Sequence, residues 1–135
     1  MYNVIFACIQ NAGRSQMAAA FFNELADRGK AKAVSAGTEP GDHVHPEVLA
    51  VMQEIGIDLS NATPQKLTEE LTGDAQLLIT MGCGDKCPYV PGLRRDDWPL
   101  RDPKGLPIEE VRTIRDEIRG RVQALLGQDG LGASG

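Results

Sequence analysis

The chain has 135 residues, 41% of them hydrophobic and 24% charged, which suits one domain with a core of its own. A formal net charge of −5 argues against a protein that grips nucleic acid or anionic lipid by bulk charge, while leaving room for a local basic patch that holds a small anion. No stretch approaches the roughly 18 apolar residues of a membrane span. Met1-Tyr2-Asn3 runs straight into apolar sequence without a basic leader, so the expected location is cytoplasmic.

Asn3 to Ala7 is a short apolar run with Val4, Ile5 and Phe6, and reads as a buried strand. The turn-rich QNAGRS follows. Ser15 to Arg28 predicts a helix with Met17, Ala18, Phe21, Phe22 and Leu25 on one side and Gly29 as its stop. Ala31 to Ser35 is a second strand, ending in the loop AGTEPGD. Pro46 to Ile55 predicts a second helix, and Thr63-Pro64 reads as the N-cap and first residue of a third, carrying Leu67 and Leu71. Gln76 to Met81 is a third buried strand. Gly82 to Asp102 is a long segment rich in Gly, Pro and charge, and loops of that length are functional or mobile. Pro107 to Leu126 predicts the last helix, with Val111, Ile114, Ile118, Val122 and Leu125 at helical spacing. The domain is thus expected to span 1–127, with 128–135 a disordered tail.

Strands alternating with helices imply a parallel sheet with helices on both faces and right-handed crossovers. Ligands of such sheets bind outside the carboxyl ends of the strands. Cys8 ends the first strand and Met81-Gly82-Cys83 the third, so the two cysteine regions are expected to meet on one edge.

CIQNAGRS, Cys8 to Ser15, has the make-up of a cradle for a tetrahedral oxyanion. Backbone N–H groups of Ile9, Gln10, Asn11, Ala12 and Gly13 can turn inward, and the helix N-terminus adds positive potential. Arg14 offers a planar fork to two anion oxygens. The same field favours Cys8 as thiolate, the nucleophilic form, and Ser15 can donate to it. Asn11 and Gly13 tolerate a left-handed backbone. The Gly-Lys-Ser/Thr ending of a nucleotide loop is absent. By itself a Cys-x5-Arg spacing also fits a buried cysteine followed by a surface arginine; the strand-to-helix junction and the serine after the arginine favour function.

Three cysteines in a cytosolic setting read as free, catalytic or metal-bound rather than as a disulfide frame. Cys83 and Cys87 supply two ligands at most, with His43 and His45 in another loop, so no metal is expected. Asp102 before Pro103 reads on its own as a turn residue, with Asp96 and Asp97 nearby. His43 and His45 are expected on a solvated loop and Trp98 as a packing anchor. Arg94, Arg95 and Arg101 read as solvated charge that could also steer anions or dock an acidic partner.

CIQNAGRSQMAAAFF (Cys8 to Phe22) resembles the phosphate-loop signature of the low-molecular-weight tyrosine phosphatase superfamily, and SAGT (Ser35 to Thr38) and GIDLS (Gly56 to Ser60) resemble two further stretches of it in the same order. The match runs from Tyr2 to about Leu126. RSQMA (Arg14 to Ala18), MGCGDKCP (Met81 to Pro88) and DDWPLRDP (Asp96 to Pro103) are similar to its arsenate reductase branch. The phosphatases usually carry Pro where Gln16 stands and a tyrosine pair where Lys104-Gly105 follow Asp102-Pro103.

The resemblance implies a three-layer α/β sandwich around a four-stranded parallel sheet of flavodoxin-like topology. It implies that Cys8 attacks arsenate, that Asp102 is the general acid, and that the electrons come from Cys83 and then Cys87, whose disulfide thioredoxin re-reduces, or from a glutaredoxin- or mycothiol-type thiol. Phosphate and sulfate become competing oxyanions. Family members are often monomers, and neither nucleic acid nor a membrane is an expected partner. The thioredoxin-coupled members usually have cysteine where Gly13 stands and mostly a glutamate where Ala19 stands, so no potassium site is expected. The GCGDKCP wording is closer to relatives served by a small thiol, for which Cys8 alone is obligatory. The rival readings are a phosphatase working through a phosphocysteine and an anion-binding or redox-sensing module without turnover.

Overall fold

Side chains alternate along the first strand, Tyr2–Cys8 (β1), so that Val4, Phe6 and Cys8 join one buried cluster and Ile5 and Ala7 another. That sorting defines the layers. The protein, seen in a computed structural model that describes residues 2–82 and 90–130, continues with Arg14–Leu25 (α1), Ala31–Gly37 (β2), Pro46–Gln53 (α2), Glu69–Gly73 (α3), Leu77–Thr80 (β3), Arg94–Asp97 (β4) and Ile108–Asp129 (α4). The four strands form one parallel sheet in the order β2-β1-β3-β4. Register runs from Tyr2 opposite Ala31 to Cys8 opposite Gly37, and from Val4 opposite Leu77 to Ala7 opposite Thr80.

The larger core lies between one sheet face and α1, α2 and α4, where Phe6, Phe21, Phe22, Met17, Met52 and Ile118 are fully buried. Phe6 stacks edge-on with Phe22 at 6.0 Å and tilts against Trp98 at 5.6 Å. Trp98 is the expected packing anchor, and the Arg121 guanidinium covers its ring at 5.9 Å. The opposite face is covered by the short α3 and the chain before it, with Leu67 and Leu78 beneath.

Several expected boundaries move, each for a local reason. α1 stops at Leu25 rather than Arg28 because Asp27 forms its own turn, its Oδ1 accepting from the Gly29 N–H at 2.9 Å and its carbonyl from Lys30 and Ala31. The helix expected at Thr63-Pro64 starts at Glu69 instead. Residues 65–67 are held as a strand-like bridge to β2, with the Gly37 N–H donating to Gln65 O and the Leu67 N–H to Gly37 O, each at 2.8 Å. Thr68 then caps α3, its Oγ1 accepting from the Leu71 N–H. α2 ends at Gln53 rather than Ile55, and β2 runs on to Gly37. α4 runs to Asp129, past the expected Leu126, and closes on Gly130 at φ +68.

The fourth strand lies inside the segment read as irregular. Arg94 to Asp97 are all exposed, so no alternation marks them. Charge on an edge strand blocks pairing with further strands. Arg94, Arg95 and Arg101 are expected as solvated charge; Arg101 pairs with Glu110 at 3.3 Å, and Arg94 Nη1 donates to the Tyr2 hydroxyl. No helix among the described residues is long and apolar enough to cross a membrane.

Candidate active site

The strand order turns around between β1 and β3, the switch point where open α/β sheets bind ligands. Cys8 ends β1 there, 3% exposed. The chain after it bends through Asn11 at φ +52, the one non-glycine residue with positive φ among those described, and enters α1 at Arg14. Asparagine tolerates this conformation. Gly13 does not adopt it: its φ is −144, and glycine is required there for space. A Cβ at 13 would stand 2.9 Å from Pro103 Cγ and 3.5 Å from His45 Cδ2.

Donors converge on the Cys8 sulfur. The Asn11 N–H reaches Sγ at 3.2 Å and Ser15 Oγ lies 2.9 Å away. Asn11 Nδ2 donates to Ser15 Oγ at 2.7 Å, which leaves the serine hydrogen for the sulfur. Asn11 Oδ1 in turn accepts from the Gln65 N–H at 2.9 Å and from Gln16 Nε2 at 3.3 Å, while Gln16 also donates to the Asn11 carbonyl. Asn11 was expected among the wall residues of the cradle. It is fully buried behind that wall, where it fixes the loop rather than facing the cavity.

The cavity itself, about 100 Å³, is lined by Cys8, Ile9, Gln10, Ala12, Gly13, Arg14, His45 and Asp102. Arg14 is the first residue of α1, so the unpaired N–H groups of the first turn lie beside it, with no acidic side chain in that turn to cancel their field. Its side chain is 9% exposed, with Nη1 donating to the Leu100 carbonyl at 2.9 Å and Nη2 3.9 Å from Asp102 Oδ2. Gly82, at φ +86, makes room for it, since a Cβ there would stand 2.5 Å from Nη1. Asp102 is exposed, and its Oδ1 accepts from the Lys104 N–H at 3.0 Å. Asp96 and Asp97 lie on β4; Asp97 Oδ1 accepts from Thr80 Oγ1 at 2.6 Å, and neither lines the cavity.

Sequence reading missed His45. It was expected on a solvated loop, yet it is half-buried and lines the cavity, its N–H donating to the Ala12 carbonyl at 2.9 Å. His43 is exposed, as expected. Burial holds the His45 imidazole below its ordinary titration range, with Asp102 and Glu47 opposing that and Lys104 and His43 adding to it. The available signal was its place immediately before Pro46, the first residue of α2. Gln16 and Gln65 were missed as supports of Asn11, because nothing in their spacing points to a loop that folds between them. Cys83 and Cys87 lie outside the described residues; Cys83 is the residue after Gly82. Among the described residues no group of three or more His, Cys, Asp or Glu is placed to hold a metal ion.

Fold and site together define a parallel α/β protein with a cysteine-centred pocket that also presents Arg14, His45 and Asp102. The family model described as low molecular weight phosphotyrosine protein phosphatase matches residues 3–133. A putative arsenate reductase of Halobacterium salinarum is 40% identical over 127 residues, covering 91% of this chain and 89% of that protein. The glutaredoxin arsenate reductase of Synechocystis is 37% identical over 131 residues, covering 95% and 98%. The structure of a thioredoxin-dependent arsenate reductase of Corynebacterium glutamicum superposes with a TM-score of 0.81 at 38% identity, covering 95% of this chain; the chain spans 61% of the length of that protein. The chain belongs to the low molecular weight phosphotyrosine protein phosphatase family, and it is similar to the members of it named arsenate reductases.

Proposed function

We propose that the protein reduces arsenate to arsenite and so serves arsenic detoxification. The observation that carries the reading is the convergence of the Asn11 N–H and the Ser15 hydroxyl on Cys8 Sγ, inside a cavity that also presents Arg14 and Asp102. Arsenate has the shape and charge of phosphate, and the cradle of Ile9, Gln10, Ala12, Gly13 and Arg14 suits either. Cys8 attacks arsenic, a sulfur–arsenic bond forms, and the oxygen that departs leaves as water with a proton from Asp102. Cys83 then attacks Cys8 Sγ. The sulfur–arsenic bond breaks with its electron pair going to arsenic, which departs as arsenite, and two thiols have become one disulfide. Exchange with Cys87 frees Cys8 and leaves Cys83–Cys87 for an external reductant.

Thioredoxin, glutaredoxin and a small thiol are the candidate reductants; relatives named for the first two support that range. Phosphate and sulfate are expected to compete at the cradle. We further propose a cytoplasmic monomer with no bound cofactor. Gln16 and Lys104-Gly105 stand where the sequence pattern of the phosphatases has proline and a tyrosine pair, which disfavours phosphotyrosine hydrolysis.

The test gives the fully reduced protein one equivalent of arsenate with no other thiol, assays arsenite and maps disulfides by mass spectrometry. Arsenite with a Cys8–Cys83 or Cys83–Cys87 bridge means that the chain carries its own electrons. Arsenite only after a small thiol is added leaves Cys8 as the sole essential thiol. No arsenite under either condition, with hydrolysis of an aryl phosphate, overturns the reading in favour of the phosphatase.

A further inference from the structure

We infer that His45 is a proton-coupled anion-binding residue of this site: its imidazole, at the cavity wall beside Asp102, takes up a proton as a tetrahedral dianion enters and becomes a second cationic partner beside Arg14. The inference rests on the reading of the cavity as an oxyanion site.

The geometry comes first. His45 is tied to the cradle through its backbone N–H on the Ala12 carbonyl, and its ring lies beside Gly13, with Cδ2 3.5 Å from where a Cβ would stand, in ordinary contact. The ring lines the same cavity as Cys8 and Arg14, and its nitrogens make no hydrogen bond among the described residues. An imidazole at the wall of a polar cavity, its ring nitrogens unbonded among the described residues, is placed to bond a ligand that enters.

Charge then decides what it acquires. Among the described residues Arg14 is the one permanently cationic side chain in the wall, and part of its guanidinium is engaged by the Leu100 carbonyl and Asp102. A dianion in this cavity would meet Arg14 as its one cationic side chain among the described lining residues. Of the charged groups around His45, Asp102 and Glu47 favour the imidazolium and Lys104 and His43 disfavour it; burial is the largest influence and disfavours it. An anion in the same cavity acts in the direction of Asp102 and tips that balance.

The experiment uses the reduced full chain and sulfate, which remains a dianion and is not turned over. The chain has two histidines, so proton NMR resolves both imidazoles, with His43→Gln for assignment. Protection of Cys8 from alkylation reports sulfate occupancy independently. Expected is protection of Cys8 together with a rise of the His45 titration midpoint by about one unit or more, His43 moving far less. In His45→Asn, sulfate protection is expected to weaken about tenfold at pH 6 and to stay unchanged at pH 8.5, a split that a merely structural role would not produce. Protection of Cys8 with the His45 midpoint fixed within about 0.2 units would overturn the inference and leave the cradle standing. Failure of sulfate to protect Cys8 at any pH would overturn the cradle reading and the inference with it.

Discussion

Substitution of Gly13 tests how tightly the cradle and the Asp102 loop are fitted to one another. An added Cβ would lie 2.9 Å from Pro103 Cγ, whereas carbon pairs are comfortable from about 3.5 Å. Pro103 must therefore withdraw by about 0.6 Å, and Asp102, its neighbour in the chain, moves with it. Overpacking of this kind costs about 1–3 kcal/mol of stability. A misplacement of about 1 Å in a reacting group costs about 100-fold in rate, so Gly13→Ala is expected to lower kcat for arsenate reduction about 10- to 100-fold. At about 1.4 kcal/mol per decade that is a loss of roughly 1.4–2.8 kcal/mol in the transition state.

The assay is arsenite release under saturating arsenate, with thermal melting alongside. Gly41→Ala is the control: it lies over the same loop, but a Cβ there would meet its nearest neighbours, Ala12 Cβ and Gln10 O, at 3.9 Å, so rate and melting temperature should both hold. Gly13→Ala with a rate within about twofold of the natural protein and unchanged melting would refute the reasoning, since the Asp102 loop would then yield without consequence. The same contact predicts that a cysteine cannot simply be grafted at position 13 to imitate the thioredoxin-coupled pattern.

Ser15→Ala removes one donor from Cys8 Sγ and strands Asn11 Nδ2 in a buried site, a cost of about 1–3 kcal/mol; iodoacetamide should then alkylate Cys8 about tenfold more slowly at neutral pH, and an unchanged rate would mean that the hydroxyl does not support the thiolate. Glu54 joins α2 to α4: hydrogen bonding from Arg112 first, with Arg115 adding to it, holds its carboxyl below the usual range. A depressed carboxyl contributes stability that is present above its unfolded value of 4.5 and is lost as pH falls through the folded value. Glu54→Gln should therefore melt below the natural protein at pH 6, with the gap closing as the pH drops below about 4; a gap that is the same at every pH would exclude this linkage.

How much of the molecule could be read in advance depended on how local the cause was. The first and third strands showed as apolar runs because both faces of a central parallel strand are buried. The last helix showed in the spacing of Val111, Ile114, Ile118, Val122 and Leu125, and the Cys8 to Ser15 loop in its own residue types. β4 escaped because an edge strand of four charged residues has no hydrophobic pattern to show. The third helix was placed too early because the bridge from Gly37 to residues 65–67 is a long-range pairing, which overrode a sound local cap at Thr63-Pro64.

The sequence by itself therefore determined the alternating architecture, the strand-to-helix loop and the placement of Cys8 and Arg14 at its two ends, because each follows from contiguous residues whose chemistry is set by their neighbours in the chain. The tertiary structure decided the rest. It turned Asn11 from a wall residue into the strut behind the sulfur, explained Gly13 by the bulk of Pro103 some ninety residues away, and brought His45 to the cavity. Each of these depends on which segments the parallel sheet carries to the same edge, and that is fixed by strand order rather than by any stretch of sequence read alone.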